Sequence, residues 1–166
     1  ILRNQDEEDN QIESVDILTN VYRKNWVYTD EDITRLSVLS EEEIEILDAI
    51  HELLHKGDLQ KGVSFRVALG IARFLANIPV NKDGKPLIER SKAFDMQINQ
   101  RILTKIKGLD SYVRPLVGAY SNGQYINGEI ANLLTTDEAQ LVSTFDISLK
   151  TLKSKAKELM LYGFAK

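Results

Sequence analysis

The chain contains no cysteine. That absence excludes disulfide staples, thiolate zinc sites, iron–sulfur clusters and cysteine nucleophiles together. It also lacks any apolar run approaching the ~18 residues that a membrane span needs. Its polar, acidic start has no signal-peptide pattern. No membrane contact is expected, and a cytoplasmic location fits the lack of cysteine and of a signal. What is present is an ordinary globular composition, with 43% hydrophobic and 28% charged residues in a chain of 166. That is enough for one domain with a sizeable core, or for a domain with an arm. The first residue is Ile1 rather than methionine, and the expectation is a fragment of a longer protein.

Charge is distributed unevenly. Residues 1–60 hold 16 acidic and 5 basic side chains, and residues 61–166 hold 9 and 16, within a net charge of −4. Either the acidic part packs beside the basic part, or the polarised surface meets another charged one. Residues 1–14 are polar and acidic with few apolar anchors, and read as an arm or linker. Residues 15–40 have no clean period; helices over 15–24 and 30–37 are expected there. Trp26 with Tyr22 and Tyr28 reads either as a docking patch or as an ordinary N-terminal anchor.

From Ser40 onward the pattern is helical. Ser40 with Glu43 has the spacing of a capping box, and Ile44, Leu47, Ile50, Leu53 and Leu54 follow at helical period. Gly57 is the expected stop. Ser64 is the expected cap of a second helix with Val67, Ile71, Phe74 and Leu75 inward, ended by Pro79. Asp83-Gly84 is the expected bend of the loop at 80–87. Phe94, Ile98, Ile102 and Ile106 step by four, which predicts one helix over 91–107. A helix over 110–120 is expected, kinked or begun by Pro115. The SNGQYING stretch reads as a turn or a tiny hairpin. Short helices at 127–134 and 136–144 precede a last helix from a Ser148 cap to Gly163. The expected fold is all-α, a small bundle of six to eight helices over 40–166, with 1–39 as an irregular N-terminal segment.

Two motifs carry chemistry. His51-Glu52-Leu53-Leu54-His55 matches H-E-x-x-H, in which two histidines one helical turn apart bind zinc and the glutamate acts as base on the metal-bound water. A catalytic zinc takes three protein ligands. These are the only two histidines, so the third would be a carboxylate such as Glu89 or Glu129. The alternative is that His51 and His55 flank an amphipathic helix, where His55 and Lys56 favour the dipole at its end. The second motif is Gly62-Val63-Ser64-Phe65-Arg66-Val67. An arginine in a helix's first turn is poorly placed for the dipole but well placed to grip an anion beyond the helix end.

The segment GVSFRVALGIARFLAN resembles the sensor-2 helix in the lid of AAA+ ATPases. AFDMQINQRILTKIKG (93–108) and SLKTLKSKAKELMLYGFAK (148–166) are similar to the lid of the McrB-like branch, the nucleotide-driven motors of modification-dependent restriction systems. Together the three blocks span about residues 40–166. The resemblance implies a helical lid that closes over ATP or GTP with magnesium held by an upstream core. Arg66 stands at the sensor-2 position, and Phe65 occupies a place where related lids often carry proline or tyrosine. The implied partners are that core, neighbouring subunits of a ring, a McrC-like nuclease subunit and DNA. The chain has no P-loop: Gly57 leads only to Asp58-Leu59-Gln60-Lys61-Gly62. It also has no apolar strand ending in paired acids to hold magnesium. The segment alone is therefore expected to hydrolyse nothing.

A third reading is a helical DNA-binding module. It rests on Lys150, Lys153, Lys155 and Lys157 near the last helix and on Arg90, Lys92, Arg101, Lys105 and Lys107 around the third. Helices at 127–134 and 148–162 would form a helix-turn-helix variant. The acidic balance of the chain argues against it.

Overall fold

A computed structural model describes residues 30–164. The expected helix at 15–24 and the Trp26, Tyr22 and Tyr28 group lie outside the described residues. The described elements are α1 (Asp30–Leu36), α2 (Glu41–Gly57), α3 (Phe65–Ala76), α4 (Arg90–Arg101), a 3-10 turn (Leu103–Lys105), α5 (Asp110–Val117), β1 (Gly118–Ser121), β2 (Gln124–Asn127), α6 (Glu129–Leu134), α7 (Asp137–Val142) and α8 (Asp146–Phe164). The fold is predominantly helical, a small bundle carrying one two-stranded hairpin.

The local signals for the first two long helices act as expected. The Ser40 hydroxyl accepts from the Glu43 N–H at 3.1 Å, and the Glu43 carboxylate accepts from the Ser40 N–H at 2.8 Å. Ser64 caps α3 by accepting from the Val67 N–H. α3 stops at Ala76, short of Pro79, because the residue before a proline is pushed out of helical geometry. Asn81 folds the next loop: its side chain accepts from the N–H groups of Asp83 and Lys85, with Gly84 at φ +80°.

Packing draws the elements into one core. α1 lies on α3, α3 on α4, and α4 on α8. α5 bridges α6 and α8, while α2 packs on α6 and α7. Phe65, Phe94 and Phe145 are fully buried, each contributing roughly 2–3 kcal/mol. Leu36 and Leu39 enter the same core from the N-terminal side.

Five elements differ from expectation. The helix expected over 91–107 ends at Arg101, and a 3-10 turn follows. Ile102 and Ile106 stay buried across that break, so the apolar spacing alone did not reveal it. The helix expected over 110–120 ends at Val117 with Pro115 inside it, and Gly118–Ser121 is a strand. Gly118 requires φ +95°, and a Cβ there would collide with the Ile126 carbonyl. The strands pair antiparallel with Tyr120 opposite Tyr125 around an Asn122-Gly123 turn, both residues at positive φ. The helix expected from 127 begins at Glu129, because Asn127 is the last residue of β2. That expected over 136–144 is shorter, Asp137–Val142, with Thr136 as its cap. The last helix begins at Asp146, with Ser148 inside its first turn rather than at its cap, and it runs through Gly163.

Candidate functional site

Arg66 is the second residue of α3, and its side chain is exposed. Buried Phe65 and half-buried Val67 on either side fix the backbone that carries it. Position 70, one turn further along the same face, is glycine. The Arg101 side chain of α4 lies across it, so close that any Cβ at Gly70 would strike the guanidinium. Arg101 Nε donates to Gln97 Oε1 at 2.7 Å. The α3 face that presents Arg66 thus carries a second guanidinium one turn away.

The HELLH residues are engaged with the loop that follows their helix. His51 is buried, and its Nδ1 accepts from the Val63 N–H at 2.9 Å. The His55 Nδ1 lies 3.0 Å from the Lys61 carbonyl, to which it donates. The two rings stack with centroids 5.2 Å apart. The bond from Val63 leaves the His51 proton on Nε2, which is buried without a partner among the described residues. A metal bound at that Nε2 would need the opposite tautomer, with an N–H of Nδ1 facing the N–H of Val63. Glu52 is exposed. Glu89 sits at the N-cap of α4, and the Glu129 carboxylate is 3.9 Å from Lys56 Nζ. Among the described residues no group of three or more His, Asp or Glu is arranged to hold a metal.

Burial, reinforced by the neighbouring His55, lowers the pKa of His51 below its ordinary 6.5. In the unfolded chain the imidazole protonates near 6.5, while in the folded chain it resists until lower pH. Below about pH 6.5 the unfolded state therefore binds more protons, and stability falls as pH drops. Urea unfolding is expected to show lower stability at about pH 5.5 than at about pH 7.5, with a smaller difference in His51→Gln. An equal difference in both proteins would remove His51 from this account.

Asp95 was not singled out by the sequence reading. Its carboxylate is buried and accepts from the Ile147 N–H, the Ser148 N–H and the Ser148 hydroxyl at 2.9, 2.9 and 2.6 Å. Beside it Phe94 meets Phe145 edge to face at 6.1 Å. Phe145 sits at φ +52° just before α8, its N–H donating to the Ser143 hydroxyl. Phe94 and Asp95 together receive the start of α8. The available signal was a carboxylate amid buried Ala93, Phe94, Gln97 and Ile98. A buried charge needs donors, but those donors lie more than fifty residues away.

Several cations read as a DNA-binding face have internal partners. Arg90 makes a two-pronged ion pair with buried Glu43, at 2.7 and 3.0 Å, and donates to the Val38 carbonyl. The hydrogen bonding to the Glu43 carboxylate raises its already high pKa. Lys155 donates to the Ile106 carbonyl. Lys153 and Lys157 lie over the rings of Tyr125 and Tyr120 at 5.8 and 6.0 Å, within cation–π range. Lys92 and Lys150 are exposed.

The described residues thus define a small helical domain with a hairpin, an exposed arginine at the start of α3 and a buried carboxylate that seats the last helix. The chain belongs to the family described as Domain of unknown function (DUF8727), whose model matches residues 11–164. No curated protein and no solved structure matches it. No helix among the described residues is long and apolar enough to cross a membrane.

Proposed function

We propose that this chain is the C-terminal lid region of a McrB-like AAA+ nucleoside triphosphatase. It closes over a nucleotide held by an upstream core and passes the phosphate state to neighbouring subunits of a ring. The observation that carries the reading is spatial. The three blocks that resemble such lids lie in α3, in α4 with its following turn, and in α8. α3 packs on α4 and α4 on α8, so blocks far apart in sequence make one continuous body. The α4 and α8 blocks are further joined by Asp95.

On this reading Arg66 is the sensor-2 arginine. Its forked guanidinium suits the terminal phosphate of ATP or GTP, and the buried residues beside it transmit its displacement to the rest of the lid as a rigid body. The core supplies the P-loop and the magnesium ligands, which this chain lacks. The work of the ring is DNA restriction or defence, with a McrC-like nuclease as partner.

The coding sequence upstream of Ile1 tests the reading. A P-loop followed by an apolar strand ending in acidic residues is expected within about 150–250 residues, one to two domain lengths. A start codon close to Ile1 with no such core would overturn it.

A further inference from the structure

Four cations gather at one place on the surface. Lys61, Arg101, Lys105 and Lys107 line one cleft of ≈ 220 Å³, together with Gln60 and Tyr112. Lys61, Lys107 and Tyr112 also line a second hollow of ≈ 370 Å³. Among the described residues none of the four makes an ion pair. The one carboxylate on the walls is Asp58, which accepts from the Gln60 N–H at 3.0 Å. The floor is apolar and includes buried Ile102 and Ile106, which keeps water from screening the site on one side.

Two of the four are tied to the fold, Lys61 through its backbone and Arg101 through its side chain. Lys61 lies in the loop clamped by the two histidines: its carbonyl accepts from His55, and the Val63 N–H two residues on is bound by His51. Arg101 is fixed through Nε by Gln97 and laid flat by the absence of a side chain at Gly70. Its terminal amino groups make no hydrogen bond among the described residues. Like charges gathered in one cleft repel each other, and an anion relieves that repulsion. Two hollows that share walls offer more room than one phosphate fills. Three of its four cations are lysines on flexible stems, which suit a chain of phosphates better than a closed cradle does.

We propose that this cleft binds the phosphodiester backbone of a nucleic-acid strand. It reads charge rather than bases, so binding is indifferent to sequence and steep in salt. The inference does not rest on the motor-lid reading.

Fluorescence anisotropy of the 166-residue chain with a labelled single strand of about 20 nucleotides tests it. Four phosphate contacts predict that affinity falls about 50-fold between about 50 and about 200 mM salt. Lys105→Glu combined with Lys107→Glu is expected to weaken binding at least about tenfold at the lower salt, with an unchanged circular dichroism spectrum. Arg101→Gln is expected to weaken it as well, and carries the test should the double variant fail to fold. Lys150→Glu on the exposed part of α8 should leave binding unchanged. Three results would each overturn the proposal: no binding by the unaltered chain, an equal loss in Lys150→Glu, or inorganic triphosphate binding as tightly as the strand.

Discussion

Asp95→Ala is expected to lower the melting temperature of the chain by about 6–12 °C, corresponding to about 3 kcal/mol. The carboxylate accepts three hydrogen bonds, all from the first turn of α8. Bonds to a charged acceptor each contribute roughly 1.5–3 kcal/mol, and truncation leaves buried donors without partners. Ser148 is fully buried, so water cannot readily replace the lost acceptor. The loss also frees Phe145, whose left-handed backbone costs roughly 1–3 kcal/mol and persists only because its surroundings hold it. Asp95→Asn keeps one acceptor oxygen and is expected to fall between the two. A melting temperature within about 2 °C of the parent in Asp95→Ala would mean that the α4–α8 joint is held by Phe94 and Phe145 instead.

Arg66→Ala is expected to reduce steady-state nucleotide turnover of the intact motor by about 10- to 100-fold while the chain still folds. The reduction follows from removing a charge that stabilises the terminal phosphate where negative charge builds up. Folding should survive because the side chain is exposed at the start of a helix whose cap, Ser64, and anchor, Phe65, are untouched. Arg66→Lys should recover only part of the loss, since an ammonium cannot make the two-pronged grip of a guanidinium. Unchanged turnover in Arg66→Ala would remove Arg66 from the mechanism.

Much of the fold was legible because its determinants are local. The Ser40–Glu43 capping box, the Ser64 cap and the buried pair of Phe94 and Ile98 each lie within a few residues of what they specify. The misread elements have determinants elsewhere in the chain. The start of α8 is set by Asp95 on α4, so Ser148 looked like a cap although its hydroxyl is a donor inside the first turn. β1 was read as helix because four residues are too few to display a period. Its strand geometry comes from pairing with β2 and from packing on α8.

The candidate site divides in the same way. Arg66 stood out because a cation in a helix's first turn is poorly placed for the dipole and because its segment resembles a sensor-2 helix. The HELLH spacing was equally visible, but its use was not. The segment 58–63 turns back onto the helix, and the two imidazoles bind its backbone. In sequence Arg90 and Lys105 look alike, as cations around one helix. Only the fold pairs the first with Glu43 and leaves the second in a cleft beside Lys61 and Arg101.

The most direct measurement of the motor-lid reading is a structure of the intact protein bound to a non-hydrolysable nucleotide. The account predicts the Arg66 guanidinium within about 2.7–3.2 Å of a terminal-phosphate oxygen. It also predicts α3, α4 and α8 in the arrangement described here, closed over a core that holds the nucleotide. An Arg66 side chain turned away from the phosphate, or a protein with no nucleotide bound, would contradict it.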